Sequence, residues 1–460
     1  MIYYDVTDLL HYFESRSQVS GIQRVTVAII REFLSLAQRE GKAERLMLLA
    51  RHPRDKRLVA TDAGFFERTE ISGEAFCAHF GVARKARPEE LEAYLKRRYR
   101  RKWQRAFHGW RLTLKNRLSG GKTFRSKGLS VEKIEDKSEV RAEWRPVEFK
   151  PGDVVYISEV TWHRLDHLRE LGRLRDERQC KIVHLIYDAL PVKRPEYFPK
   201  GLSFAFEDWL VLLNGVADGI LNNAEVTRDD LVSFAKDAGL PPFRDIRVVP
   251  LAHEFLSVER GGPKLSQNAL YARVSPAVLQ AARLPYVLCV GTQEIRKNNL
   301  GLAQVWEKLR QKHGYALPRL VFAGRRGWLN DDFDALLRRT HHLNGAIVTI
   351  DNASDDDIGY LYNHCQFTIF PSFAEGWGLP IGESLWFGKP VITSQLSSMP
   401  GVAGSFADYA DPYNLPSLEA AIEKMLDPDY RRSREEAIKT MKLRRWSEVA
   451  LIIWLNLHSI

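Results

Sequence analysis

From residue 370 the chain reads Phe370-Pro371-Ser372-Phe373-Ala374-Glu375-Gly376-Trp377-Gly378-Leu379-Pro380-Ile381-Gly382-Glu383, at the end of the apolar run 367–370. The apolar run predicts a buried strand. Pro380 suits the first turn of a helix, and Gly388 is typical of its end. We therefore expect Glu375 in a loop at the carboxyl end of the strand and Glu383 in the first helical turn. Ligands of open α/β sheets bind at that edge, and the glycines leave backbone N–H groups open to a hydroxyl-rich ligand.

The alternative for this segment is a tight surface turn that carries two solvated acids. An ordinary turn does not need this many glycines among aromatic residues, which favours a binding loop.

Strands and helices alternate through the second half of the chain. Strands are predicted at 286–290, 319–323, 346–350, 367–370 and 391–393, with helices at 300–312, 332–339, 355–364 and 380–387 between or after them. Strict alternation predicts a doubly wound α/β sheet. In the first half, strands at 45–50, 153–158, 181–187, 219–222 and 246–250 predict a second, mainly parallel sheet. Residues 263–285 are interpreted as the connector.

Composition is that of a globular protein. No stretch approaches the roughly 20 apolar residues that a membrane span needs. The amino terminus predicts a first strand and lacks the form of a signal peptide. Four separated cysteines, Cys77, Cys180, Cys289 and Cys365, form no metal-ligand pattern and favour a reducing cytoplasm.

The positive charge is concentrated in one insertion. Residues 84–127 hold 16 Lys or Arg and three Glu, whereas the whole chain has a net charge of +10. Within 91–118, apolar and aromatic residues recur every three or four positions and predict one stripe along a helix. Such a helix suits an anionic membrane surface. Packing on the protein's own core and binding to nucleic acid are the alternatives, and the continuous apolar stripe disfavours nucleic acid.

The segment around Glu375 resembles the Glu-seven-residues-Glu motif of retaining glycosyltransferases of family four. The preceding Phe370-Pro371-Ser372 and the following Gly388-Lys389-Pro390-Val391-Ile392 match as well. Members of this family have the GT-B fold, with two Rossmann-like doubly wound domains facing a cleft. They move a sugar from a nucleotide diphosphate to an acceptor. The resemblance covers most of 286–425 and scattered parts of 1–260.

The resemblance implies that different parts of the chain have different roles. Residues 1–265 would form the acceptor-binding domain, with the basic insertion at 84–138, and 266–429 would bind the nucleotide sugar. Residues 430–460 would form a closing helix that crosses back to the first domain. The implied protein is cytoplasmic and peripheral on the inner face of the membrane, and it serves surface-polysaccharide synthesis with a mannose- or rhamnose-like donor.

The resemblance also implies roles around the donor diphosphate. Gly291 to Asn299 matches a phosphate motif in which Lys297 would hold the diphosphate with help from Arg296. A turn glycine with cations beside a helix start is a credible anion site. Thr292 stands where many relatives carry arginine, so Arg325 is the alternative second cation.

Other positions are implied around the sugar. Glu383 would bind the ribose hydroxyls, and Glu375 would orient the donor sugar and stabilise the transition state. Gly376, Trp377, Gly378 and Leu379 would present backbone amides to the donor. In the first domain, Gly21 matches a glycine loop. Tyr187 stands where relatives have a histidine that touches the donor, and Asp188 would orient an acceptor hydroxyl.

We also expect no metal, no other cofactor and no nucleic-acid partner. No His, Cys or carboxylate cluster has metal-ligand spacing, and Asp355-Asp356-Asp357 is better explained as a helix start. The rival functions are a non-catalytic membrane-associated scaffold with the same fold, a sugar-nucleotide epimerase or a phosphorylase.

Overall fold

The computed structural model describes residues 1–16, 19, 21–52, 56–68, 71–82, 108, 111–112, 142–256 and 273–460. The predicted basic insertion, 84–138, therefore lies almost wholly outside the described residues. Contacts divide the chain into two compact units. The first comprises Met1–Thr161 and Arg169–Ile182, and the second comprises Trp162–Leu168 and Val183–Ile460. The predicted domain boundaries at 265/266 and 429/430 stay predictions.

The first unit contains strands in the order β4-β3-β2-β1-β5. They are β1 (Ile2–Asp5), β2 (Leu46–Arg51), β3 (Leu58–Asp62), β4 (Arg145–Pro146) and β5 (Val154–Ile157). β1 pairs in parallel with β2 and β5, as expected for a mainly parallel sheet. β3 and β4 are antiparallel additions that we did not predict. The helices here are α1 (Thr7–Phe13), α2 (Ile22–Arg39) and α3 (Gly73–Phe80), and α4 (Leu165–Arg178) has residues in both units.

The second unit begins with three parallel strands and their helices. The strands are β6 (Lys181–Ile186), which starts in the first unit, β7 (Gly219–Asn222) and β8 (Ile246–Val248). The helices are α5 (Leu190–Lys193), α6 (Leu202–Val216) and α7 (Glu225–Asp237).

The remainder of the second unit is the doubly wound sheet that strict alternation predicted. Its strands are β9 (Tyr286–Val290), β10 (Arg319–Ala323), β11 (Ile347–Ile350), β12 (Thr368–Phe370), β13 (Val391–Ser394) and β14 (Asp408–Ala410), all parallel, in the order β11-β10-β9-β12-β13-β14. The surrounding helices are α8 (Pro276–Ala281), α9 (Asn299–His313), α10 (Asp331–Arg339), α11 (His341–Gly345), α12 (Asp355–His364), α13 (Leu379–Trp386), α14 (Met399–Ala403) and α15 (Leu415–Leu426). The strand order reverses between β9 and β12, which is the topological switch point of such sheets.

Alternate residues of the central strands enter two different cores. Val287 and Cys289 of β9 belong to one apolar cluster, whereas Tyr286 and Leu288 belong to another. Successive side chains of a strand point to opposite faces, so both faces of this sheet are covered. Cys289 is buried and serves as a small residue of the core.

The closing helix differs from the prediction. Residues 430–460 were expected to form one helix, but the structure has α16 (Pro428–Lys439) and α17 (Trp446–Ser459). The backbone N–H of Arg444 donates to Nδ1 of His253. This bond fixes the segment between the two helices in a non-helical conformation. Glu448 then accepts a bond from the N–H of Arg445 and starts the second helix.

Helix α17 packs against residues 247–254, which lie in β8 and after it. Nη1 of Arg247 donates to Oδ1 of Asn456, and the N–H of Trp446 donates to Oε2 of Glu254. These contacts tie the end of the chain to residues that precede the doubly wound sheet in sequence.

Candidate functional site

The candidate site lies at the carboxyl edge of the six-stranded sheet, beside its switch point. β9 ends at Val290 and leads to the loop that carries Arg296 and Lys297. β12 ends at Phe370 and leads to the loop that carries Glu375. Because β9 and β12 are neighbours in the sheet, the two loops leave it side by side. Their charged side chains meet as a result.

Glu375 is paired with both cations. Its Oε1 lies 2.6 Å from Nζ of Lys297, and its Oε2 lies 2.6 Å from Nη1 of Arg296. Only 5% of Glu375 is exposed. A buried carboxylate with two charge-assisted bonds is held in one orientation. The sequence analysis assigned Lys297 and Arg296 to the diphosphate and Glu375 to the sugar. The structure brings the three side chains together, and their roles stay predictions.

The two cations change the pKa of the Glu375 carboxylate. Burial alone would raise the pKa of Glu375, but the charges of Arg296 and Lys297 more than offset burial and lower that pKa to about 2. Glu375 is therefore ionised at neutral pH. It provides a fixed negative charge rather than a proton donor.

Arg296 is anchored from three directions. Besides Glu375, it donates 2.6 Å bonds to Oε1 of Glu294 and to the carbonyl oxygen of Ala374. Burial would lower its pKa, but the surrounding carboxylates Glu375, Glu294 and Asp188 raise it. Burial raises the pKa of Glu294, and Arg296 opposes that rise. The bonds that Arg296 donates thus hold the loops of the site together. The ammonium of Lys297, in contrast, has further N–H groups that can bind an anion.

The Glu375 loop is fixed through its own backbone. The hydroxyls of Ser397 and Ser398 donate to the carbonyl oxygen of Glu375 at 2.6 and 2.8 Å. Gly378 has a φ of +102°, a left-handed conformation that favours glycine. It directly precedes Leu379, the first residue of α13.

Trp377 is mostly buried within the same loop. Its indole Nε1 has no hydrogen-bond partner among the described residues.

Glu383 lies one residue later in its helix than predicted, just beyond the first turn. It is the fifth residue of α13, and the first turn of this helix carries no acid. The helix begins at Leu379, so the N-terminal dipole contributes less to Glu383 than we expected. Glu383 is buried and its Oε2 accepts a 2.9 Å bond from the hydroxyl of Tyr362.

Two glycines let neighbouring strand ends approach each other closely. A Cβ added at Gly324 would lie 2.0 Å from the carbonyl oxygen of Gly291. A Cβ added at Gly291 would lie 3.8 Å from Nζ of Lys297. The ammonium also lies 4.6 Å above the ring of Phe370. Gly291 thus borders the cation, and its assignment to a phosphate turn stays a prediction.

Tyr187 and Asp188, which follow β6, come up against the Glu375 loop. A Cβ added at Gly376 would lie 2.4 Å from the carbonyl oxygen of Tyr187 and 2.9 Å from Cβ of Asp188. Burial raises the pKa of Asp188, and Arg296 opposes the rise. Oδ1 of Asp188 accepts a bond from the N–H of Leu190. The structure therefore brings Asp188 to the cluster, although it lies far from it in sequence.

The remaining predicted residues divide between the two units. Arg325 follows β10, and its carbonyl oxygen accepts a bond from the N–H of Gln293, which places it beside the β9 loop. Gly21 belongs to the other compact unit, where it precedes α2 with a φ of +52°.

Two other expectations concern polar residues outside the cluster. The acids at 355–357 form a helix start as predicted: Ser354 and Asp357 make a capping box on α12. Across the described ranges, no group of three or more His, Cys, Asp or Glu could hold a metal ion.

Sequence reasoning missed the residues that support the cluster. Glu294, Ser397 and Ser398 hold Arg296 and the Glu375 loop, as described above. Glu294 carried a weak signal, because it lies two residues before Arg296 in the phosphate turn. The two serines carried none, because only the fold brings the loop after β13 to the loop after β12.

Residues 275–444 match the family model described as "Glycosyl transferases group 1". The O-antigen chain mannosyltransferase B of Escherichia coli is 36% identical over 173 residues, covering 36% of this chain and 45% of that protein. The serotype-specific mannosyltransferase WbdA of Escherichia coli is 27% identical over 324 residues, covering 68% of this chain and 38% of that protein. The chain thus spans less than half the length of these two curated relatives.

A solved structure covers the whole chain. The sucrose-phosphate synthase of Thermosynechococcus elongatus superposes with a TM-score of 0.56 at 14% identity, covering 100% of this chain and 98% of that chain. At this identity the likeness concerns the fold alone. It confirms the predicted GT-B fold.

Proposed function

We propose that this protein, a GT-B glycosyltransferase whose residues 275–444 form a group 1 glycosyl transferase domain, is a retaining hexosyltransferase of surface-polysaccharide synthesis. It moves a mannose-like sugar from a nucleotide diphosphate sugar to a glycan or lipid-linked acceptor. The observation that carries the proposal is the buried cluster of Glu375, Arg296 and Lys297 at the switch point.

The cluster matches the charges that develop when a sugar leaves a diphosphate. As the bond between the anomeric carbon and the phosphate oxygen breaks, negative charge grows on the phosphate, and the adjacent ammonium of Lys297 stabilises it. Positive charge grows on the sugar ring, and the ionised Glu375 stabilises that charge. The acceptor hydroxyl then bonds to the anomeric carbon on the same face, and its proton passes to the leaving phosphate oxygen.

The ribose end of the donor is assigned to Glu383. Its carboxylate can accept bonds from two hydroxyls, and Tyr362 fixes its orientation. Asp188, which borders Gly376, is assigned to the acceptor hydroxyl.

Metal independence is part of the proposal. Lys297 supplies the positive charge that a divalent cation supplies in other nucleotide-sugar sites, and Arg296 supports it. We expect transfer to continue in excess EDTA. A loss of turnover that Mg²⁺ or Mn²⁺ restores would contradict this part.

The relatives' printed names support mannose as the first donor to test. Both are mannosyltransferases, and one is named for the O-antigen chain. A panel of nucleotide sugars should show a donor that raises the melting temperature of the protein, because a ligand that binds only the folded state stabilises it. The same donor should then support transfer. No shift and no transfer with any nucleotide sugar would overturn the proposal.

The rival functions have less support. A non-catalytic scaffold has no need of a buried carboxylate with two cations. Burying these charges costs free energy of desolvation, which a scaffold would gain nothing from. An epimerase would need an acid as well as a base around the sugar, and Glu375, which is held ionised, cannot supply the acid.

Membrane contact is a separate proposal. No described helix is long and apolar enough to cross a bilayer. The predicted helix 91–118, which carries the apolar and aromatic stripe, lies almost wholly outside the described residues. We propose that it holds the protein on the inner face of the membrane. Flotation with anionic liposomes tests this, since Trp103→Ala with Trp110→Ala should reduce binding. Unchanged flotation would contradict it.

A further inference from the structure

A cluster of aromatic rings borders the candidate site and takes no part in the chemistry described above. Phe373 stacks on Tyr197 with centroids 5.6 Å apart and on Tyr413 with centroids 4.8 Å apart. These three residues come from the loops after β12, α5 and β14. We call Tyr197, Phe373, Tyr413, Arg194 and Trp328 the aromatic rim.

The rim is joined to the catalytic cluster through the backbone. The N–H of Phe373 donates to the carbonyl oxygen of Arg296, and Phe373 lies two residues before Glu375. Ala374 packs with Tyr197 in one apolar cluster. A ligand on the rim would therefore be next to the reacting sugar.

Polar atoms lie at the edges of these rings. The guanidinium of Arg194 lies 4.8 Å above the ring of Tyr197 and donates to the hydroxyls of Tyr197 and Tyr413 at 2.6 and 2.8 Å. The two hydroxyls are 2.8 Å apart. A guanidinium with five N–H groups and a phenol with two lone pairs can also bind sugar hydroxyls.

Two of the rings are exposed. Tyr413 is 58% exposed and Trp328 is 36% exposed. Nε1 of Trp328 donates to the backbone carbonyl oxygen of Tyr197. The hydroxyl of Tyr413 lies at the side-chain hydroxyl of Tyr197. The two exposed rings thus contact different parts of Tyr197. They offer aromatic surface to a ligand beside the candidate site.

We propose that the aromatic rim binds the acceptor glycan, at sugar units beyond the one that reacts. This inference rests on the proposed transferase function. Sugar rings present polarised C–H groups on one face, which suit the negative face of Tyr or Trp. Their edges present hydroxyls, which suit Arg194. The rim combines both at the border of the site, and one relative is named as a mannosyltransferase of the O-antigen chain.

The test compares acceptors of increasing length with the wild type and Tyr413→Ala. In the wild type, KM should fall as the acceptor grows from one sugar to three or four. In Tyr413→Ala the KM for the long acceptor should rise about tenfold, the scale of one lost stacking contact. The KM for the shortest acceptor, the KM for the donor and hydrolysis of the donor without acceptor should stay within twofold. Trp328→Ala should act on the long acceptor in the same direction.

Matched variants control for folding and for surface tyrosines in general. Tyr413→Phe keeps the ring and should retain most of the length effect. Tyr315 is 95% exposed, has Arg310 over its ring and precedes β10, at the amino edge of the sheet. Tyr315→Ala should therefore leave the KM for every acceptor unchanged. Each variant should melt within a few degrees of the wild type.

The outcomes are separable. If the wild type transfers sugar but Tyr413→Ala and Trp328→Ala leave the length dependence intact, or change only the KM for the donor, the rim is not an acceptor site and the transferase function stands. If the wild type shows no transfer from any donor, the proposed function itself fails.

Discussion

The ammonium of Lys297 lies 2.6 Å from the carboxylate of Glu375, although 78 residues separate them in the chain. The contact exists because β9 and β12 are neighbours in the sheet. It places the cation that we propose for the leaving diphosphate beside the anion that we propose for the sugar.

Lys297→Met should reduce transfer about 100-fold, because it removes a preorganised charge that stabilises the leaving group. Arg296 still pairs with Glu375, so the protein should remain folded. Steady-state rates with a saturating donor measure the effect. Lys308→Met is the matched control, since Lys308 forms an exposed pair with Glu419 and should leave the rate unchanged. Equal rates for the two variants would remove Lys297 from the mechanism.

The pH dependence of stability should report on Glu375. Its pKa is about 2 in the folded protein against an ordinary 4.5, so the unfolded chain binds the proton more tightly. The ionised carboxylate therefore adds about 3 kcal/mol of stability above pH 4.5, which is lost as the pH falls through 2.

Urea unfolding of the wild type and Glu375→Gln between pH 7 and pH 3 tests this. The difference in unfolding free energy should be largest near pH 7 and decrease below pH 4.5. Glu436→Gln removes a carboxylate from an exposed pair with Lys439 and is the matched control, which should change the unfolding free energy at pH 7 by less than about 0.5 kcal/mol. A difference for Glu375→Gln that grows toward acid pH would mean that the carboxylate is not held ionised.

Gly376→Ala should impair activity and stability together. Its Cβ would lie 2.4 Å from the carbonyl oxygen of Tyr187, so the Glu375 loop must move away from Asp188. Such overpacking costs about 1–3 kcal/mol. Gly401→Ala in α14 has open space around its Cβ and should be neutral or slightly stabilising. Thermal melting and transfer rates measured on both variants decide the matter; wild-type behaviour of Gly376→Ala would show that the two loops are not packed as described.

Tyr362→Phe should weaken donor binding about fivefold, because one hydrogen bond that orients Glu383 is lost. Titration calorimetry with the donor measures this directly. Tyr430→Phe removes a hydroxyl from a different carboxylate, Asp408, outside the site. It should bind the donor like the wild type, and equal losses in the two variants would argue against a specific role for Tyr362.

Much of the second half of the fold was predictable because its signals are local. The apolar runs at 286–290 and 319–323 became β9 and β10 without a change of bounds. Glycine and proline marked the Glu375 loop and the helix after it. Even there, the start of α13 was placed one residue late, and Glu383 was assigned to the wrong turn. The break between α16 and α17 was also missed, because His253, far away in sequence, holds the chain at Arg444.

The sequence by itself determined which segments become strands and helices and which loops carry the charged side chains, since hydrophobic periodicity and turn residues act over a few neighbours. Only the tertiary structure decided which of those loops meet. The strand order brings Glu375 to Lys297, and packing brings Asp188 to Gly376 and stacks Tyr197, Phe373 and Tyr413 at the rim. Contacts between residues distant in the chain depend on how the sheet is ordered, and no local pattern records that order.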